Sequence, residues 1–318
     1  VSALVDRGVR EVTLLGQTVN SYRDPSAALA PAPGHDESDP DESEFAALLR
    51  AIAERVPGLV RLRYTSPHPR HLVPSLVRAH AELDVLPRHV HLPVQSGSNR
   101  LLKRMIRRYT REEYLRRLDA LRTAAPGTTL STDIIVGFPG ETDDDFEATL
   151  SLVREAGFVG VFGFKYSQRP YTPALKLDDD VSEADKSARL ARLFELSESL
   201  LADHLAGLVG SKQRVLVEGP SKRGATDDGP APRTTPGERR TTYTGRTDRN
   251  EIVHLDDAAA AGLVGEVVEI EVVRALRHSL VGAIDEATRA RGLARAPAVE
   301  AARGARRQLP VLVAEGHT

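Results

Sequence analysis

The sequence predicts an α/β protein: a parallel sheet or barrel, followed by a small all-β barrel. Three observations carry this. Five short apolar runs alternate with segments whose apolar residues recur at helical spacing, as in a parallel sheet covered by helices. Each run ends in polar or turn-forming residues, as strands do when they deliver side chains to a site at their C-terminal ends. After Gly210 the pattern changes to shorter alternating runs punctuated by glycine, with Val215 and Val217, then Val267, Ile270 and Val272.

The elements follow in order. Val12–Leu15 breaks at Gly16 into Gln17, Thr18, Asn20 and Ser21, and only one short helical stretch, Ser2–Arg7, lies ahead of it. Glu44–Val56 places Phe45, Leu48, Leu49, Ile52 and Val56 on one helical face. Val60–Tyr64 is the second strand, with a weaker helix near Leu72–His80. His89–Pro93 leads into helical Asn99–Ile106, and Thr110 with Glu113 forms a capping box for the next helix. Thr129–Phe138 leads into Thr142–Ala156, which Gly157 stops, and Val159–Tyr166 precedes a long helix from Ser182 to about Leu205. Residues 23–43 and 224–240, rich in Pro, charge and small residues, read as disordered inserts, and residues 287–318 as a low-complexity Ala/Arg tail.

Composition narrows the function classes. The 318 residues carry a net charge of −2, so any nucleic-acid signal must be local. No apolar run approaches the ~18 residues of a membrane span, and no signal-peptide pattern opens the chain; the expectation is a cytoplasmic protein. Cysteine is absent, which excludes disulfides, thiolate metal sites and thiol nucleophiles from this chain. The chain begins with Val1, which together with the immediate strand suggests a fragment.

The strand ends are "GQTVNSY", "YTSPHP", "LPVQSGS", "TDIIVGFPGE" and "KYSQRPYTP". Each alone reads as an ordinary loop, but five on one rim suggest a site. With "HLPVQSGSNRLLKRM" and "TDIIVGFPGETDDDF" they resemble, in order over residues 11–174, the MiaB-type tRNA methylthiotransferases of the radical S-adenosylmethionine superfamily. "GPSKR", "GRTDRNEIVHL" and "SLVGAI" are similar to that family's RNA-binding TRAM domain. The resemblance implies a truncated radical-SAM (β/α) barrel over 1–209, lacking its first strand, and a TRAM β-barrel over 210–286. An upstream domain and a CxxxCxxC loop would then be missing, and Val12–Leu15 would be an exposed second strand.

The implied activity is 2-methylthio transfer onto N6-isopentenyladenosine beside the tRNA anticodon. The implied cofactors are S-adenosylmethionine and two [4Fe–4S] clusters, neither ligated by this chain, so the fragment alone would be inactive. By resemblance Gln17, Asn20, Ser66, Gln95, Ser96 and Asp133 lie around adenosylmethionine, the backbone of Ile135, Gly137 and Pro139 packs against its adenine, and Tyr166 and Arg169 end the last strand. Thr18 stands where the family shows Asn, and Tyr171 where it shows Gly. Further implied partners are the tRNA anticodon arm and a reductant such as flavodoxin or ferredoxin, with no membrane and a monomeric state.

Residues 99–122 hold nine Lys/Arg against three Asp/Glu, too lopsided for pairing within one helix. Arg100, Lys103, Arg104, Arg107 and Arg108, read as part of a basic helix from Arg100 to Arg111, are therefore candidate phosphate contacts, against the plainer reading of a solvated face. The β domain is balanced at eleven Lys/Arg and eleven Asp/Glu over 211–284, so its RNA candidates are the loop pairs Lys222 with Arg223 and Arg246 with Arg249. His89 and His91 share a strand face but lack convincing further metal ligands nearby, and read as rim or oriented core histidines. Two alternatives stay open: a protein binding tRNA or adenosylmethionine without radical chemistry, and a sister enzyme acting on threonylcarbamoyl-adenosine. Ser98 disfavours the latter, since Cys is expected there.

Overall fold

The computed structural model describes residues 1–24, 43–170, 172–221 and 241–305. They form two compact units, Val1–Gly207 with Asp248–Asn250, and Leu208–Thr247 with Glu251–Thr318.

The first unit runs α1 (Ser2–Asp6), β1 (Glu11–Leu14), α2 (Glu44–Arg55), β2 (Arg61–Tyr64), α3 (Pro74–Glu82), β3 (His89–His91), α4 (Asn99–Arg104), α5 (Arg111–Ala124), β4 (Thr129–Val136), α6 (Asp143–Ala156), β5 (Gly160–Lys165) and α7 (Glu183–Ala206). The five strands are the five apolar runs, and every pairing among them is parallel. They form two sheets, β1-β2 and β3-β4-β5. At the seam the Leu62 N–H donates to the Val85 carbonyl at 2.8 Å, just ahead of β3. Alternation on β4 fixes the two faces: Leu130, Ile134 and Val136 are fully buried, while Asp133 and Ile135 stay half-buried on the other face.

Helix ends follow their sequence signals. Thr110 and Glu113 make the expected capping box on α5, and Thr142 with Asp145 makes another on α6. Gly157 takes the left-handed conformation that closes α6. One expectation fails: there is no continuous basic helix from Arg100 to Arg111. The first helix ends at Arg104, and Met105–Thr110 is a loop in which Ile106 and Arg108 have φ of 57° and 56°. For a β-branched residue that backbone is rare.

The second unit is a closed five-stranded barrel of β6 (Lys212–Pro220), β7 (Tyr243–Thr247), β8 (Ile252–Leu255), β9 (Val267–Ala275) and β10 (Leu280–Ile284), ordered β10-β8-β7-β6-β9. Closure removes sheet edges. Val215, Val217, Val253, Ile270, Val272 and Leu280 fill its core. The Ala/Arg tail begins as a helix, α8 (Glu286–Ala305), which passes so close to the turn Ala258–Leu263 that a Cβ on Gly262 would lie 2.0 Å from the Gly292 carbonyl oxygen. Small residues, rather than an apolar stripe, form that packing, which is why its periodicity is weak. Among the described residues, no helix is long and apolar enough to cross a membrane.

Candidate functional site

The C-terminal strand ends of the first unit converge, but their polar residues divide into two groups. Some hold the loops to one another. Asn20 is buried, and its amide donates to the His68 carbonyl at 3.0 Å and accepts the His68 N–H at 2.7 Å, clamping the loops after β1 and β2 together. Ser96 is fully buried on the helix side, 3.3 Å from the Thr149 hydroxyl of α6, and accepts the Ser98 N–H. Gly137 opens the turn after β4 at φ 69°, where a Cβ would meet Lys186 Cγ at 2.2 Å, and Pro139 is buried within the turn. The Gly137 N–H donates to Glu141 Oε2 at 2.6 Å. Gln17 and Ser66 are exposed, Ser66 with φ 57°.

The others face open space. Gln95, Asp133, Ile135, Tyr166 and Arg169 line one cavity of about 710 Å³, together with Phe138, Phe164, Arg104 and Arg107. That volume lies within the range of small-ligand sites. Gln95, at φ 76°, continues the ladder by donating to the Asp133 carbonyl and accepting from Ile135 N–H. Tyr166 packs edge-on against Phe138 at 5.2 Å, and its hydroxyl donates to the Ala174 carbonyl at 3.3 Å. A second cavity of about 470 Å³, lined by Ser66, Arg63, His89, His91, Ser131 and Phe162 among others, shares Asp133 and Phe164 with the first. Tyr171 lies outside the described residues.

Phe162 and Phe164, 55% and 53% exposed, were not anticipated. The signal was present in "VFGF": Gly163 sits under α7, where a Cβ would lie 2.8 Å from Leu190, so the flanking phenylalanines must take the opposite face.

Electrostatics sort the basic residues. Arg100 is bound to Asp145 and donates to the Gly140 carbonyl at 2.5 Å. Although burial opposes its charge, Asp145 is held well below the usual carboxylate range by hydrogen bonds from Arg100, Ser98 and Thr142. Burial pushes Glu141 up, against the opposing pull of the Gly137 N–H and Arg189. Lys103, Arg104 and Arg108 are exposed around the end of α4, with Arg107 half-buried beside them. Burial, helped by the charge of Arg107, lowers the neighbouring His68 to about 4. In the second unit Arg246 pairs with Glu218 at 3.3 Å and Arg249 belongs to the hairpin tip counted with the first unit, while Lys222 and Arg223 lie outside the described residues.

Parallel strands whose C-terminal ends gather a half-apolar, half-polar cavity define a class, and the comparisons bear on it. Residues 1–153 match the family model described as the Radical SAM superfamily. The chain is also similar to proteins named tRNA-2-methylthio-N(6)-dimethylallyladenosine synthase. It is 64% identical over 317 residues to the one from Sorangium cellulosum, covering 99% of this chain and 62% of that protein. For those of Acidithiobacillus ferrooxidans and Geotalea uraniireducens the identities are 45% and 41%, over 89% of this chain and 56% and 57% of theirs. The chain thus spans about six-tenths of the length of the curated relatives it matches. A solved structure, the radical SAM enzyme coproporphyrinogen III oxidase (HemN) from Escherichia coli, overlays at TM-score 0.37 and 13% identity, covering 63% of this chain and 56% of that one.

A match to that superfamily implies S-adenosylmethionine and an iron–sulfur cluster in an intact enzyme. The cluster does not fit the residues present, because the 318-residue sequence offers no thiolate. The adenosyl ligand does fit. The 710 Å³ cavity has an apolar wall in Ile135, Phe138 and Tyr166, and among the described residues the second oxygen of Asp133 has no partner.

Proposed function

We propose that this chain contributes the cofactor rim and the RNA-binding surfaces of an enzyme that transfers a methylthio group to N6-dimethylallyladenosine in tRNA. The single observation that carries the reading is the 64% identity to the Sorangium cellulosum protein over 99% of this chain. The cavity supports it chemically. Bound S-adenosylmethionine supplies the methyl group. Asp133 accepts hydrogen bonds from the ligand's hydroxyl or amino groups. Ile135, Phe138 and Tyr166 keep water off the adenine, and Arg169 meets a carboxylate or phosphate. Arg104 and Arg107 at the cavity, with Lys103 and Arg108 beside them on α4 and the loop after it, hold tRNA phosphates, and the second unit serves as the TRAM barrel that recognises folded RNA. With no cysteine in the chain, the radical step needs thiolates from outside these 318 residues.

A chimera tests the proposal. Residues 1–318 replace the matching region of the Sorangium cellulosum relative, and tRNA from a host lacking 2-methylthio-adenosine is digested and examined by mass spectrometry. The expected outcome is 2-methylthio-N6-dimethylallyladenosine from the chimera and none from the 318-residue chain alone. A folded, cluster-loaded chimera that leaves the nucleoside unmodified overturns the assignment. If it modifies threonylcarbamoyl-adenosine instead, the sister activity is correct.

A further inference from the structure

The loop that closes α4 holds one residue in a backbone conformation that its side chain disfavours. The Ile106 N–H donates to the Lys103 carbonyl at 3.1 Å, and the Arg107 N–H reaches back to the Leu102 carbonyl at 2.9 Å. Together these bonds make the left-handed stop of a Schellman motif, where the position of Ile106 is ordinarily Gly and sometimes Asn. At φ 57° a β-branched side chain crowds its own backbone. Packing does not compensate. The motif's own apolar contact joins the positions of Arg107 and Leu102, and Ile106 stays 54% exposed.

The surroundings brace this conformation. The Tyr109 hydroxyl donates to the Val94 carbonyl at 2.9 Å, His68 packs edge-on against the Tyr109 ring at 5.5 Å, and the Arg111 N–H donates to Asn99 Oδ1 at 2.7 Å. A disfavoured backbone held in this way presents its side chain at a fixed place, as strained residues at binding sites do. Ile106 lines the 710 Å³ cavity with Arg104, Met105 and Arg107, and also a separate groove of about 510 Å³ with Lys103, Arg108 and Tyr109. It is an apolar ridge between the two, with cations on each side. Among the described residues, Lys103, Arg104, Arg107 and Arg108 form no ion pair.

A polyanion satisfies those charges, but a phosphate has no use for Ile106. A branched aliphatic side chain also lacks the ring face on which a base stacks. Phe164, the other large apolar side chain exposed in the first cavity, offers that face from β5. The complement of Ile106 is another branched aliphatic group. We propose that Ile106 is a specificity residue for the RNA substrate: it packs against the branched N6 substituent of the target adenosine, while the cations around it hold phosphates of the same strand. This rests on the proposed tRNA substrate.

The test uses the full chain and two anticodon-arm hairpins of one sequence, carrying N6-dimethylallyladenosine or adenosine at the target position. The native chain should bind the dimethylallyl arm about tenfold more tightly, the lower end of what a single methylene gains in an apolar pocket. I106N should abolish that preference. It should leave affinity for the adenosine arm and its salt slope unchanged, because the cations remain. I106L, which keeps the apolar bulk, should retain the preference. I106N should also raise the urea midpoint, because Asn takes the left-handed backbone more readily than Ile. A midpoint at or below the native one makes Ile106 a packing residue and overturns the proposal. If I106N keeps the native preference, or weakens both arms equally, Ile106 does not read the substituent. If the native chain binds both arms equally with a steep salt slope, the RNA reading stands and the role of Ile106 fails. If the native chain binds neither arm, the RNA reading fails and takes the role of Ile106 with it.

Discussion

At the scale of single residues, burial outweighs formal charge in setting what titrates. His80 is enclosed on α3, 2.6 Å from the Tyr64 hydroxyl, and burial lowers it to about 4, with Arg88 adding to the effect. Folded, it is neutral at pH 5, whereas in the unfolded chain it titrates at about 6.5. Its folded value is depressed, so the stability tied to its neutrality is complete above about 6.5 and is lost as pH falls toward the folded value. The chain should lose about 2 kcal/mol between pH 7 and 5 from this one group, read from urea midpoints. The His80→Gln variant should flatten that slope, and an unchanged slope would show that the proton goes elsewhere. Sequence reading had no access to this. It marked His89 and His91 for their spacing, but the enclosure of His80 depends on Phe45, which packs edge-on against Tyr64 from another helix. Asn20 was legible as a polar strand end, but its role as a clamp on His68 needs the second loop in place. Gly137 was legible as a turn glycine. That Lys186 fills the space where its Cβ would lie was not, because Lys186 is a helix and a strand further on.

At the scale of elements, strands and caps were the legible part, because their signals are local. Apolar runs gave five strands within a residue or two, and Thr110 and Thr142 capped the helices they precede. The basic stretch was misread as a helix because charge and helical propensity agree over Asn99–Ile106, while tertiary bonds decide where the helix stops. The Tyr109 hydroxyl donates to the Val94 carbonyl at 2.9 Å, pinning the loop from inside. The break also separates roles within one charge run. Arg100 is committed to Asp145 and Gly140, whereas Lys103, Arg104 and Arg108 are exposed, with Arg104 lining the first cavity. Changing Arg104, Arg107 and Arg108 together to Gln should weaken all tRNAs alike, because phosphates carry no base information. The slope of log K against log salt should flatten by about 0.9 for every duplex phosphate that is no longer neutralised, or about 0.7 in single strands. Arg100→Gln should instead lower the urea midpoint and leave the salt slope unchanged, since it removes a partner from a buried carboxylate. A triple variant with native affinity and slope would return the loop to the status of a solvated surface.

At the scale of the molecule, the two units differ in how charge can act on RNA. The first gathers cations at one loop; the barrel is balanced at eleven basic and eleven acidic residues over 211–284. A balanced surface gains little from counterion release, so any RNA binding by the barrel must come from shape, stacking and hydrogen bonds. The barrel has the means to act alone. Its sheet is closed and Val215, Val217, Val253 and Val272 are fully buried, and α8 packs on the turn Ala258–Leu263 of the same unit. Residues 208–318 expressed alone should therefore unfold in one cooperative urea transition. They should prefer a folded anticodon arm to a single strand of the same length, with a salt slope shallower than that of the whole chain. The contrast in slope is the discriminating measurement, because a barrel that merely collects phosphates would prefer neither RNA and would lose affinity steeply with salt. Equal affinity for hairpin and single strand in a cooperatively folded barrel would move RNA recognition entirely to the cationic loop after α4.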